Sequence, residues 1–234
     1  MEASDNTNNK QNLFSYSDSI VKDLTPDEIA TIFCEENLIT RPKGKILYNE
    51  GQRINGCFYV NFGILKLVKT GFDGKEQIIR FAKKGELIAY RSILSNELAC
   101  TKAKVIEDAS LYYIPGDSLF TLINNNSSFA LTLLQIACKE LREANNFITD
   151  IAQKTVRERL AEVLVLLQQS FDLDNENVLQ ISLTREELAN LVGTATESVI
   201  RLLSEFKQDK LIELKGRKIK ILDLKGLSKI GNVY

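Results

Sequence analysis

The spacing of hydrophobic and polar residues changes period along this chain, and each change predicts a different kind of element. Leu24-Thr25-Pro26-Asp27-Glu28-Ile29 opens a helix, with Thr25 as N-cap, Pro26 at the first helical position and acidic residues in the first turn. Ile29, Ile32 and Phe33 give that helix one apolar face. From about 41 to 114 the period shortens to that of strands, in runs at 45–48, 57–60, 64–68, 77–81, 87–90, 103–106 and 111–114. Glycines 44, 51, 56, 63, 71, 74 and 85 punctuate these runs, which predicts a compact antiparallel barrel or sandwich. Phe72-Asp73-Gly74-Lys75 is a hairpin turn, because Asp-Gly readily supplies the positive φ that a tight reversal needs. Its strands are expected at about 64–70 and 75–82.

Helical spacing then returns. A short helix is expected at 117–123, and a long one from about 128 to 151 or beyond. Ala130, Leu134, Ala137, Leu141, Ala144, Ile148 and Ile151 recur at alternating intervals of four and three, the stripe of a helix that packs along a partner helix. A helix packed only on its own barrel would also carry a stripe. Here the flanking Lys139, Glu140, Arg142 and Glu143 favour a dimer seam. The stripe changes phase at 150–155, where a domain boundary is expected. A new amphipathic helix spans 156–168 with Leu160, Val163, Leu164 and Leu167. A polar, acidic loop at 171–177 and a short β-type stretch at 178–183 come next.

The stretch from Leu183 to Leu203 then reads as two short helices joined by a tight turn. Leu188, Ala189 and Val192 line the first, Gly193 breaks the run, and Val199, Leu202 and Leu203 line the second. Ala189 supplies the small residue that two closely crossing helices need. An ordinary helical hairpin shares this spacing. The segment C-terminal to the pair favours a helix-turn-helix: β-type runs at 211–214 and 218–222 flank Lys215-Gly216-Arg217, a basic-tipped hairpin of the winged-helix kind. Its tip is suited to the phosphate backbone of DNA.

Composition narrows the partners. The chain has 234 residues, 44% hydrophobic and 26% charged, with a formal net charge of −1, so DNA affinity must come from local clustering. That clustering exists: residues 201–234 carry nine Lys/Arg against four Asp/Glu. Cysteines 34, 57, 100 and 138 form no CxxC and no close pair, so neither a zinc site nor a disulfide framework is indicated, and no metal ligand set is expected. The absence of histidine excludes His-ligated haem and His-based catalysis. No apolar run reaches the ~20 residues of a membrane span, and no signal-peptide core stands at the N-terminus, so a cytoplasmic protein with no membrane partner is expected. Residues 1–16, rich in Asn, Ser and Asp, are expected to form a mobile tail. An enzyme on a cupin-like barrel has no support without histidine or clustered metal ligands.

Several strings resemble the cyclic-AMP-receptor/fumarate-nitrate-regulator (CRP/FNR) superfamily of bacterial transcription factors. They are Pro42-Lys43-Gly44-Lys45-Ile46-Leu47, Glu50-Gly51, Phe58-Tyr59-Val60, Gly63-Ile64-Leu65-Lys66-Leu67, Asp73-Gly74-Lys75-Glu76, Lys84-Gly85-Glu86-Leu87-Ile88 and the whole of 183–203 continued by Leu211-Ile212. The resemblance covers about 25–223. It implies an α+β chain: an effector-sensing, cyclic-nucleotide-binding-like β-roll (a double-stranded β-helix or jelly roll) at 17–126, a dimerisation helix and hinge at 127–155, and a winged helix-turn-helix at 156–234. It further implies a homodimer on double-stranded DNA with an inverted-repeat operator, in contact with RNA polymerase. The family's E-x-x-x-R signature falls on Glu197 and Arg201; their residue types suit cytosine N4 and guanine O6/N7. An i,i+4 surface ion pair between the two is the plain alternative. Thr184 and Arg185 match phosphate-holding positions, Ser198 a phosphate or base contact, and Thr196 stands where one branch carries another base-reading arginine. Thr194 in the turn and Lys215, Arg217 and Lys218 on the wing complete the expected DNA contacts.

The effector site departs from the family. Its Gly-Glu and Arg-Ser/Thr pairs align with Ala89-Tyr90 and Cys100-Thr101, and its Thr-Ser pair on the long helix with Ala144-Asn145. The phosphate-binding arginine and ribose-binding glutamate are both missing, which argues against cyclic AMP. The pocket is expected around Glu86, Ala89, Tyr90, Arg91, Cys100, Thr101 and Asn145, gated by a small effector or by none. The region before Leu24 has no cysteine for an iron–sulfur cluster, so no cofactor is expected. The alternative is a ligand-binding signalling module with a degenerate helix-turn-helix that acts through protein contacts.

Overall fold

The computed structural model describes residues 20–233. The expected tail at 1–16, and residues 17–19 of the expected β-roll, lie outside the described residues. A 3-10 turn at Ile20–Asp23 leads into α1 (Pro26–Ile32). Thr25 Oγ1 accepts from the Glu28 N–H while the Glu28 carboxylate accepts from the Thr25 N–H at 2.8 Å, a closed capping box.

One antiparallel sheet comes next: β1 (Leu38–Arg41), β2 (Ile46–Tyr48), β3 (Gly56–Thr70), β4 (Glu76–Ala82), β5 (Leu87–Ile88) and β6 (Lys102–Pro115). Its order is β1-β6-β3-β4, with β2 on β6 and β5 on β3. The runs at 57–60 and 64–68 are one strand, and so are 103–106 and 111–114. Bulges explain the difference. The register of β3 on β6 shifts at Val60/Phe62, Phe62/Ile64 and Ile64/Leu65, which bends the strand without ending it. Gly63 sits in this bend with φ of 88°, and a Cβ there would collide with the backbone of Asp108 and Ala109. The glycine marks a kink in a continuous strand rather than a loop. The run at 87–90 is likewise split, because Tyr90 begins a short helix, α2 (Tyr90–Leu94). The Asp-Gly hairpin joins β3 to β4, with Gly74 at φ of 79°.

The helical half comprises α3 (Gly116–Asn125), α4 (Ser127–Gln153), α5 (Val156–Phe171), α6 (Arg185–Val192), α7 (Thr196–Gln208) and α8 (Leu224–Gly231), with a hairpin of β7 (Ile212–Lys215) and β8 (Lys218–Ile221) between α7 and α8. The β-type stretch at 178–183 makes only isolated bridges, Leu179 to Leu173 and Val178 to Lys220. The sequence pattern does not predict α8; Gly231 lets it close on α5, since a Cβ there would meet the Glu162 backbone.

One continuous apolar core runs from Val68, Ile78 and Phe81 of the sheet, through Leu160 and Leu164 of α5, to Leu188, Val192, Leu203 and Phe206 of α6 and α7. The helix-turn-helix is therefore packed on the β-roll of its own chain. Polar ties reinforce this: Gln77 Nε2 donates to Leu191 O at 3.4 Å and Lys83 Nζ to Ser170 O at 2.7 Å. The break between α4 and α5 is braced as well. Lys154 Nζ lies 3.0 Å from Asp150 and 2.7 Å from Glu162, while Arg159 donates to Lys154 O at 2.7 Å and to Val192 O at 2.9 Å.

Candidate nucleic-acid interface and the pocket behind the long helix

The helix pair α6–α7 is built from local caps. Thr184 caps α6: its Oγ1 accepts from the Glu187 N–H at 3.0 Å, and the Glu187 carboxylate accepts from the Thr184 N–H at 2.9 Å. Gly193 ends α6 in the left-handed region, φ 70° and ψ 52°, donating its N–H to Ala189 O. A side chain at Gly193 would run into Ile151 of α4. Thr194 lies in the turn, and α7 then leaves with Thr196 and Glu197 in its first turn.

Val199, Leu202, Leu203 and Phe206 of α7 are buried, which turns Glu197, Ile200, Arg201 and Ser204 to solvent. Arg201 pairs with Glu205 at 2.6 Å, one turn towards the C-terminus. The i,i+4 partner is thus Glu205, and no ion pair between Glu197 and Arg201 is recorded among the described residues. Thr196 and Ser198 are half-buried beside this face. Ile200 is absent from the contacts expected of the sequence, yet it is 52% exposed. The signal was there, because Ile200 is an isoleucine off the phase of the apolar row. Lys215, Arg217 and Lys218 are all exposed at the tip of the β7–β8 hairpin.

Arg185 departs from its expected role. Its Nη2 donates to Gly216 O at 2.9 Å, and its buried Nη1 has no partner. Burial lowers its pKa. The side chain points back to the wing instead of outwards, because the hairpin tip folds over the start of α6. This bond ties the start of α6 to the hairpin tip.

Along α4, Leu134, Leu141 and Ile148 are 60%, 63% and 65% exposed, with Leu131 and Ile151 also exposed. Ala130 and Ala137 are half-buried at its edge, and Ala144 is exposed. The opposite face of the helix, with Phe129, Leu133, Glu140 and Glu143, is buried against the β-roll.

Between that buried face and the sheet lies a cavity of about 190 Å³, lined in part by Ile78, Arg80, Arg91, Thr101, Glu140 and Glu143. Of the residues expected there, only Arg91 and Thr101 line it. Glu86 lies behind it and holds Arg80 at 2.6 Å. Tyr90 is buried beside Glu140, and burial raises its pKa far above the ordinary phenol range. Ala89 keeps φ of 68°, a glycine-like conformation at the start of α2, and faces no lining. Cys100 is exposed and accepts from Arg91 Nη2 at 3.6 Å. Asn145 is a correction: it is exposed on the apolar-row side of α4, because the helix turns Ala144 and not Asn145 towards the cavity. Arg80, Glu140 and Glu143 are not among the residues expected of the sequence, since their roles depend on long-range packing of β4 on α4. No group of three or more metal-ligating side chains occurs, and no helix is long and apolar enough to cross a membrane, among the described residues.

Residues 38–126 match the cyclic nucleotide-binding domain family, and residues 158–230 the Crp-like helix-turn-helix domain family. The chain is 30% identical over 183 residues to the transcriptional activator protein Anr of Pseudomonas protegens, covering 77% of this chain and 75% of that protein. It is 25% identical to the CRP-like cAMP-activated global transcriptional regulator of Mycobacterium tuberculosis over 90% of this chain and 95% of that one. Among solved structures, FixK2 from Bradyrhizobium japonicum shares the fold, with a TM-score of 0.73 at 22% identity, covering 82% of this chain and 96% of that one. With the cyclic nucleotide-binding and helix-turn-helix families matched in that order, and a match to a named activator across most of its length, the chain belongs to the CRP/FNR superfamily of DNA-binding transcription regulators.

Proposed function

We propose that this regulator binds an inverted-repeat operator as a homodimer, with α7 in the major groove and the β7–β8 wing on the backbone. The observation that carries the reading is the exposed face of α7. Glu197, Ile200 and Arg201 stand out from a helix whose other face is fixed in a continuous core. Arg201 provides a bidentate donor for guanine, Glu197 an acceptor for cytosine N4–H, and Ile200 an apolar contact for a thymine methyl. Lys215, Arg217 and Lys218 supply sequence-independent attraction to phosphate. Arg185 holds the wing in place through Gly216 O.

The uncovered row of Leu134, Leu141 and Ile148 supports a seam between two copies of α4. A two-fold axis along this seam would place the two α7 helices to read half-sites about 10 bp apart. Contact with RNA polymerase is the expected route from binding to transcription. Arg201→Ala is expected to cost about 1–3 kcal/mol of specific binding. Lys218→Ala should weaken binding to every sequence and flatten its salt dependence. Gel-shift titrations on specific and random duplexes, with band stoichiometry, test both. Equal loss on both duplexes for Arg201→Ala would rule out base reading by that residue.

A further inference from the structure

The two guanidinium groups of the cavity behind α4 already have carboxylate partners, and those partners come from the protein. Arg80, buried on β4, donates to Glu86 Oε2 at 2.6 Å and to the carbonyls of Phe81 and Leu87, and its Nη2 lies 3.2 Å from Glu140 Oε1. Arg91, from α2, places Nε 3.1 Å from the other Glu140 oxygen. One carboxylate on α4 thus bridges two cations from two separate parts of the β-roll. Glu143, one turn further on and only 6% exposed, has neither carboxylate oxygen hydrogen-bonded. The cavity wall therefore carries two carboxylates, Glu140 and Glu143, beside two guanidiniums, with Glu86 holding Arg80 from behind. An incoming oxyanion would meet a cation pair already occupied by Glu140, with Glu86 also on Arg80.

We propose that Glu140 is a built-in substitute for an anionic effector: its carboxylate fills an oxyanion site between Arg80 and Arg91 and fixes α4 to the β-roll without a small molecule. The site stands on its own geometry. Its consequence, operator binding that needs no added ligand, rests on the proposed DNA-reading function. The bridge spans the elements that would have to move for gating. β4 carries Arg80 at the cavity and, three residues earlier, Gln77 on the last turn of α6. With Glu140 in place, this strand is held at both ends. Removing the Glu140 carboxylate would vacate the position between Arg80 Nη2 and Arg91 Nε beside a cavity of about 190 Å³, a place for a small oxyanion, while Glu86 still holds Arg80 Nη1.

The test uses the full chain with sodium sulfate and inorganic phosphate as probes, each at about 10 mM against chloride of equal ionic strength. For Glu140→Ala, thermal unfolding should shift upwards by about 3–5 °C in either oxyanion. Wild type and the Glu140→Ala/Arg91→Ala double variant should move by less than about 1 °C beyond the general salt effect. If Glu140→Ala does not fold in chloride, recovery of a cooperative transition in sulfate supports the proposal equally. Failure to recover, in it and in Glu140→Ser, overturns it. A folded Glu140→Ala with no oxyanion-specific shift overturns it too, as does an equal shift in wild type or in the double variant. Operator binding measured in parallel keeps the two readings separate. A sulfate shift without operator binding defeats only the DNA-reading function, and operator binding without the shift defeats only the role of Glu140.

Discussion

Lys66 on β3 and Glu187 in the first turn of α6 meet at 2.8 Å, so one ion pair joins the six-stranded sheet to the first helix of the helix-turn-helix. Lys66 is buried, while Glu187 retains some solvent and two further partners, the N–H and hydroxyl of Thr184. The asymmetry decides which variant is worse. Glu187→Gln leaves a buried ammonium without its counter-ion and weakens the cap, and should cost about 3 kcal/mol. Lys66→Met leaves Glu187 its cap partners and should cost about 1 kcal/mol. Urea unfolding of the two variants checks the order. The pair also sets an acid limit. Burial raises the Glu187 pKa, but the Lys66 ammonium and the Thr184 donors outweigh burial, and its carboxyl titrates below the usual range. A depressed carboxyl stabilises the fold above its unfolded pKa, and that contribution is lost as pH falls through the folded value.

Glu143 has the opposite sign. Burial raises its pKa, against smaller lowering effects of Arg142 and Lys139. The folded state then holds the proton more tightly than the unfolded one, so stability falls as pH rises from the unfolded to the folded pKa. Glu143→Gln should therefore stabilise the chain by about 1 kcal/mol at pH 7 and make little difference below about pH 4. Thermal unfolding at the two pH values measures this. A variant less stable than wild type at pH 7 would mean that Glu143 is paired.

Ile200 and Arg201 should act on different bases. Ile200→Ala is expected to relax discrimination at a thymine position by about 1 kcal/mol, leaving affinity for random duplex unchanged. Arg201→Ala should relax a guanine position by more. Competition titrations with single-base operator variants separate the two; loss at the same position for both would refute the assignment.

What the sequence made legible was local. The capping residue Thr25, Gly193 as the end of α6, the Asp-Gly hairpin and the alternating row on α4 each depend on neighbours within a few residues. The runs at 57–60 and 64–68 merge into β3 because Gly63 signals a bend as readily as a turn, and only the pairing with β6 distinguishes them. The cavity was the least legible part. Arg80, Glu86, Arg91 and Glu140 are spread over sixty residues, and only the packing of α4 on β4 makes them one cluster. Family spacing points to Ala89, Cys100 and Asn145, none of which lines the cavity.

Cys138 offers a direct check on the proposed seam. It is exposed on the same face as Leu134 and Leu141, four residues after one and three before the other. In a parallel pair of α4 helices it would stand opposite its own copy, within reach of a disulfide. Mild oxidation should give a covalent dimer on non-reducing gels, and Cys138→Ser should remove it. A cross-link that persists in that variant would place the contact elsewhere.

Two copies of α7 reading one operator should leave a clear mark in the sites selected from a random duplex library. The expected result is an enriched inverted repeat with half-sites centred about 10 bp apart, bound by two chains and lost with Arg201→Ala. Enrichment of a single unrepeated site bound by one chain, or no enrichment over random duplex, would contradict it.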